Sequence, residues 1–244
     1  MLKGIYTAAS GMSYQIDALN DVAGNLANVS TTGYKRTQLV GESFDNLVTQ
    51  FAHPTANDKV GLGVREIGTA RIESQGALIR TDNPLHMAIS GDGYFQTQAA
   101  DGRVAVTRNG DFRLDTQGFL VAQSGERVLG TNNQQIQLGV IATQDMKIRQ
   151  DGTILAGNRP VGQLKVVGPD QANGPSFPAS DIGAPQQAKG FSVEQGFLEN
   201  SNVSVISEMV NMITINKAFS FGQKAITTQD NLLNKTVNDL GRLQ

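Results

Sequence analysis

The sequence predicts an α+β protein in which long N- and C-terminal helices form a coiled-coil core domain and enclose a mainly antiparallel β domain. Three observations carry this. Apolar residues at the N-terminus recur at helical spacing, those at the C-terminus repeat every seven residues, and the stretch between them is punctuated by short turn signals. The composition agrees: only 17% of the 244 residues are charged, against about 25% in an average soluble protein, while 27 are glycine. Low charge with abundant glycine suits a turn-rich β body with polar, uncharged surfaces.

At the N-terminus, Leu2, Ile5, Ala9, Met12, Ile16, Leu19, Ala23 and Leu26 alternate at spacings of three and four, the a/d pattern of a helix with one apolar seam. Ser30, Thr31, Thr32 and Gly33 follow as turn formers, so the helix is predicted to stop near Asn28. Gly4, Gly11 and Gly24 each cost about 1 kcal/mol relative to alanine. Such a helix gains from partners on several faces, and residues 1–30 are expected to exchange amide hydrogens rapidly in a free monomer.

At the C-terminus, Val205, Met212, Phe219, Ile226, Leu233 and Leu240 repeat every seven residues, with Val210, Ile213, Ala218, Ala225, Leu232 and Val237 widening the apolar face. No proline follows Pro185, which permits a helix of roughly 40 residues, about 60 Å long. The alternate seam positions Asn216, Gln223 and Asp230 are polar and need partners if that seam is buried.

Between the ends, Gly91-Asp92-Gly93, Asp101-Gly102, Asn109-Gly110, Gln117-Gly118, Ser124-Gly125, Asn132-Asn133, Asp151-Gly152 and Gly157-Asn158 mark turns. Alternating segments such as Val104/Val106 and Phe112/Leu114 separate them, as expected for a meander or sandwich. Residues 168–190 carry four prolines and read as a loop. Residues 31–70 read as an extended connector with a short helical piece around Glu42–Gln50. The predicted plan is therefore a core helix over 1–30, a connector over 31–70, a β-rich domain over 71–195 and a second core helix over 196–244.

Much chemistry is excluded at this level. The chain contains no cysteine, which rules out thiol catalysis, disulfides and Cys-ligated zinc. His53 and His86 are the sole histidines, so a multi-histidine metal site is not expected, and neither residue stands in a triad-like pattern. Gly61-Leu62-Gly63 fails as a dinucleotide fingerprint at its third glycine. Asp111 and Asp115 lack the rest of a calcium loop. The Asp-Gly pairs are what tight turns require. A net charge of -2 gives no reason to expect nucleic-acid binding, and no run approaches the ~18 apolar residues that a membrane span needs. The first residues lack the apolar core of a secretory signal. No cofactor is expected.

Asn25-Leu26-Ala27-Asn28-Val29-Ser30-Thr31-Thr32-Gly33-Tyr34-Lys35-Arg36 resembles the N-L-A-N-x-x-T-x-G-[FY]-K signature of the flagellar axial proteins that build rod and hook. Three further blocks follow in family order. They are Gly76-Ala77-Leu78 through Asn83-Pro84-Leu85-His86-Met87-Ala88-Ile89, Gly91-Asp92-Gly93-Tyr94-Phe95 with Thr107-Arg108-Asn109-Gly110-Asp111-Phe112, and Gly196-Phe197-Leu198-Glu199-Asn200-Ser201-Asn202-Val203 with Glu208-Met209-Val210-Asn211-Met212-Ile213. His86 stands where the family commonly has aspartate, and Asn216-Lys217-Ala218-Phe219 departs from its usual Q-R-A-Y. Ile5-Tyr6-Thr7-Ala8 and the short stretch from Arg36 to Gly63 resemble the proximal rod type more than the distal type.

The resemblance implies a non-enzymatic building block of the flagellar basal body, whose paired terminal helices form the inner core of a helical tube with the β domain outside. Its expected partners are further copies of itself, other rod proteins, hook or distal rod neighbours, the surrounding basal-body rings and the flagellar type III export apparatus, which would export it without a cleaved signal. The expected assembly residues are Ile5, Met12, Ile16, Leu19, Leu26, Val205, Met212, Asn216, Phe219, Gln223, Ile226, Asp230, Leu233 and Leu240. The motif residues are Asn25, Leu26, Ala27, Asn28, Thr31, Gly33 and Tyr34, with Gly33 expected at positive φ closing the helix end. The alternatives are a distal rod or hook-type subunit of the same family, or a secreted β-domain glycan hydrolase with helical oligomerisation ends. The last would need two cleft carboxylates and flanking aromatics, and the chain has no tryptophan.

Overall fold

The computed structural model describes residues 2–43, 63–139, 146–168, 188 and 190–241. The chain divides into two compact units. Unit 1 comprises residues 1–27, 37–70 and 204–244, and unit 2 comprises residues 28–36 and 71–203.

Unit 1 holds α1 (Leu2–Ala27), β1 (Thr37–Ser43), β2 (Val64–Arg71, whose last residue belongs to unit 2) and α2 (Val205–Gly241). The helices pack against each other and β1 packs on α1. They run antiparallel, as two glycines on the seam show. A Cβ added at Gly222 would lie 2.8 Å from Met12 Cγ, and one at Gly4 would lie 2.6 Å from Gln229 Nε2. Missing side chains at these points let the helices approach closely, which offsets what glycine costs in helix propensity. Glu42 and Ser43 belong to β1, so the expected helical piece does not begin there; its remaining residues lie outside those described.

The seam differs from the predicted one by a single residue, and in the same way on both helices. On α1, Ile5, Met12, Leu19 and Leu26 are half-buried, as are Ala8 and Gln15 three residues further on, and Val22 is buried, whereas Ala9, Ile16 and Ala23 four residues on are exposed. On α2, Met212, Phe219, Ile226 and Leu233 are half-buried with Ile215, Gly222 and Gln229, whereas Asn216, Gln223 and Asp230 are exposed. Both helices therefore use an i, i+3 seam. The i+4 residues face away from the intrachain contact.

Unit 2 holds the remaining strands. Its largest sheet is six-stranded, in the order β13 (Val166–Val167), β5 (Tyr94–Gln98), β9 (Arg127–Val128), β8 (Leu120–Ala122), β7 (Phe112–Leu114), with β6 (Val104–Thr107) also on β5. A second sheet joins β10 (Met146–Ile148), β11 (Thr153–Ala156) and β12 (Arg159–Gln163). β3 (Leu78–Arg80) pairs antiparallel with β15 (Phe197–Glu199), and β4 (Met87–Ser90) with β14 (Ser192–Gln195). Every turn signal from Gly91-Asp92-Gly93 to Ser124-Gly125 separates consecutive strands, as do Asp151-Gly152 and Gly157-Asn158. The core gathers Met87, Ile89, Phe95, Phe112, Leu120 and Ile154 among others. Phe95 and Phe112 meet edge to face at 5.1 Å.

Candidate assembly interface

The first asparagine of the N-terminal signature is wholly buried in unit 1. Asn25 Nδ2 donates to the Thr37 carbonyl at 2.8 Å, and Asn25 Oδ1 accepts the Thr37 N–H at 2.9 Å. The carboxamide thus pairs with one residue's N–H and C=O as a neighbouring strand would, and fixes the start of β1 against the last turn of α1. The Thr37 hydroxyl also donates to Asp21. Leu26 is half-buried and Ala27 exposed.

The rest of the signature belongs to unit 2. Residues 28–31 turn on themselves, with the Thr31 N–H donating to the Asn28 carbonyl at 3.1 Å and the Tyr34 N–H to the Thr31 carbonyl at 3.2 Å. Gly33 has φ +70, as expected. It does not cap α1, however, because its N–H donates to the Glu199 carbonyl at 2.7 Å. A Cβ there would lie 2.4 Å from the Asn109 nitrogen. Both the left-handed φ and the backbone contact demand glycine.

Beside it, all four motif blocks converge on one buried carboxylate. Glu199 is fully buried. Its Oε1 accepts from Lys35 Nζ at 2.6 Å and from the Gly76 N–H at 3.0 Å, and its Oε2 accepts from Arg108 Nη1 at 3.1 Å. The cations are held in turn by backbone carbonyls: Lys35 donates to Ser74 at 2.9 Å and Arg108 to Gly91 at 2.7 Å. Arg108 also stands over the Tyr94 ring, 5.3 Å from its centroid. Burial and a hydrogen bond to the Glu73 carboxylate push the Tyr94 phenol well above its ordinary pKa. Asn202 completes the arrangement by accepting the Arg36 N–H at 2.7 Å and donating to the Ile72 carbonyl at 2.8 Å. Sequence reading found the blocks but not the roles of Lys35, Arg108 and Glu199.

Of the expected assembly residues, Ile5, Met12, Leu19, Leu26, Met212, Phe219, Ile226 and Leu233 line the intrachain seam, while Ile16, Val205, Asn216, Gln223 and Asp230 are exposed. The side chain of Leu240 lies outside the described residues. Both helices expose large apolar residues on their outward surfaces: Tyr6 and Ile16 on α1 are 74% and 47% exposed, and Ile206, Val210, Ile213 and Phe221 on α2 are 56–77% exposed.

His86 and the aspartates of two Asp-Gly turns make local contacts. His86 Nδ1 lies 2.9 Å from Thr81 Oγ1, and its Nε2 lies 3.0 Å from Asn83 Nδ2 and 3.2 Å from Asp111 Oδ1. Asp101 and Asp151 accept backbone N–H bonds from Arg103 and Thr153 two residues on, which hold both carboxyls below their ordinary pKa. His53 lies outside the described residues.

Three family models match the chain in order. Residues 5–35 match the flagella basal body rod protein model, residues 88–156 the flagellar hook protein FlgE/F/G D1 domain, and residues 194–240 the flagellar basal body rod FlgEFG protein C-terminal model. The flagellar basal-body rod protein FlgG of Buchnera aphidicola subsp. Acyrthosiphon pisum is 33% identical, over 96% of this chain and 98% of the relative. In Caulobacter vibrioides, FlgG is 29% identical over 96% of this chain and 98% of the relative, and FlgF is 30% identical over 92% of each.

Proposed function

The chain belongs to the flagellar basal-body rod protein family, and we propose that it is a non-enzymatic subunit that polymerises through α1 and α2 into the helical tube carrying motor torque to the hook. The observation that carries this reading is the large apolar residues left exposed on two helices that already pack on each other. Burying such area is favourable at ~25 cal/mol per Å², and a patch of this kind marks an interaction site. In this reading the helix pair is the coiled-coil core of the assembly. Other rod and hook-side subunits and the basal-body rings are its neighbours, and the flagellar export apparatus delivers it without a cleaved signal.

Within the family we favour the proximal position. The alignments with the Buchnera and Caulobacter FlgG relatives run over 264 and 268 residues, more than this chain contains, whereas that with the Caulobacter FlgF runs over 238. A short stretch between Arg36 and Gly63, which leaves little room for a longer distal-type insertion, is in keeping with this reading. The test is to isolate basal bodies from cells producing the tagged chain and identify its cross-linked neighbours. Rod proteins on both sides are expected. Absence of the chain from basal bodies overturns the proposal.

A further inference from the structure

The outward surfaces of the two helices are not alike. On α2, Ile213, Asn216, Lys217 and Ser220 stand at i, i+3, i+4 and i+7, and Lys217, Ser220, Phe221 and Lys224 repeat that spacing immediately afterwards. Together they line a groove of about 390 Å³. A diamond of residues at these offsets is the hole that receives one knob in helix–helix packing. The floor is small and polar, with the Ser220 hydroxyl turned back onto the Asn216 carbonyl at 2.9 Å. Its apolar members are Ile213 at one end and Phe221, which precedes Lys224 at the other. On α1 the exposed Ile16 stands instead between two smaller exposed residues, Ala9 and Ala23, seven residues to either side.

Charge matches shape. The acids of α1 are Asp17 and Asp21, and Asp17 borders Ile16. The groove on α2 is edged by Lys217 and Lys224, both exposed and neither in an ion pair among the described residues. We propose that Ile16 of one copy of this chain seats in the Ile213–Asn216–Lys217–Ser220 socket of a second copy, with Asp17 facing Lys217. This rests on the reading that α1 and α2 carry self-assembly. Knob and socket lie on different helices, so one copy can give its knob to a second while its own socket takes the knob of a third; a heterologous pair keeps one free knob on one copy and one free socket on the other. Such contacts propagate into rings or open helical filaments rather than closing as dimers.

The absence of native cysteine makes the test direct. Full-length Ile16→Cys and Ser220→Cys chains are mixed, oxidised mildly and resolved without reductant, with sedimentation of the unmodified chain in parallel. The expected result is a mixed dimer in several-fold excess over either homodimer, and a ladder of higher species from the doubly substituted chain. Lys217→Glu or Asp17→Lys alone should reduce the cross-link several-fold, and the two reversals together should restore it. Predominant homodimers overturn the proposal. Polymers that sediment but do not cross-link overturn this pairing while leaving self-assembly standing, and a chain that never sediments beyond a monomer overturns both.

Discussion

Lys35 Nζ donates to Glu199 Oε1 across 2.6 Å, joining residues 164 positions apart. The lysine follows α1 in sequence and the glutamate precedes α2, so unit 2 is closed by the two segments adjoining the terminal helices. Removing one member of a buried ion pair costs about 3–5 kcal/mol because the other is left uncompensated. Glu199→Leu strands both Lys35 and Arg108 and is expected to cost at least that much. Lys35→Met leaves Glu199 with Arg108 and the Gly76 N–H and is expected to cost clearly less. Urea unfolding followed by circular dichroism measures the order, and equal losses would contradict it.

Gly33 makes a sharper case than its conformation alone suggests. Positive φ costs a side-chain residue about 1–2 kcal/mol, which by itself would leave the β body intact. The 2.4 Å approach of an added Cβ to the Asn109 nitrogen changes that expectation, since backbone must move. Gly33→Val is therefore expected to lower the melting temperature of unit 2 and not only to disturb assembly. Melting at the parent temperature would show that the contact yields freely.

Hydrogen exchange along α1 should be graded. Val22 and Asn25 are buried and Asn25 grips Thr37, which narrows the expectation of rapid exchange to the first half of the helix. Amides near Leu26 should exchange slowly and those from Ile5 to Met12 quickly. Asn25→Ala removes two backbone partners, at about 1–3 kcal/mol for groups left unsatisfied, and should speed exchange at Thr37. Unchanged rates there would contradict the role assigned to the carboxamide.

The Tyr94 phenol gives unit 2 an alkaline limit. Its folded pKa is raised by burial and by Glu73, so the folded state favours the protonated form. That contribution is complete below the ordinary tyrosine value of about 10 and is lost as pH rises beyond it. Melting temperature should fall above about pH 10, and Tyr94→Phe should fall less over the same interval. Parallel profiles for the two proteins would contradict this.

Both terminal helices were legible from periodicity, and so were the turns, because Asp-Gly and Asn-Gly pairs are chosen by local backbone geometry. The seam was legible only to within one residue. Ile16 and Asn216 fall on the heptad spacing four residues after Met12 and Met212, whereas the packed positions Gln15, Gly222 and Gln229 are polar or lack a side chain. Close approach at Gly4 and Gly222 selected the i+3 line, and no pattern in either helix alone reveals its partner's shape. The Lys35–Glu199–Arg108 cluster was not legible as a cluster. Its members lie far apart in sequence, and nothing local distinguishes a charge that will be buried from one that will be solvated.

Electron microscopy of the negatively stained full-length chain at high concentration tests the central claim most directly, with an Ile213→Asp/Phe221→Asp variant beside it. The account predicts filaments or rod fragments from the parent and none from the variant, while unit 2 of both melts at the same temperature. A parent that stays dispersed at every concentration, or a variant that forms the same filaments, would contradict it.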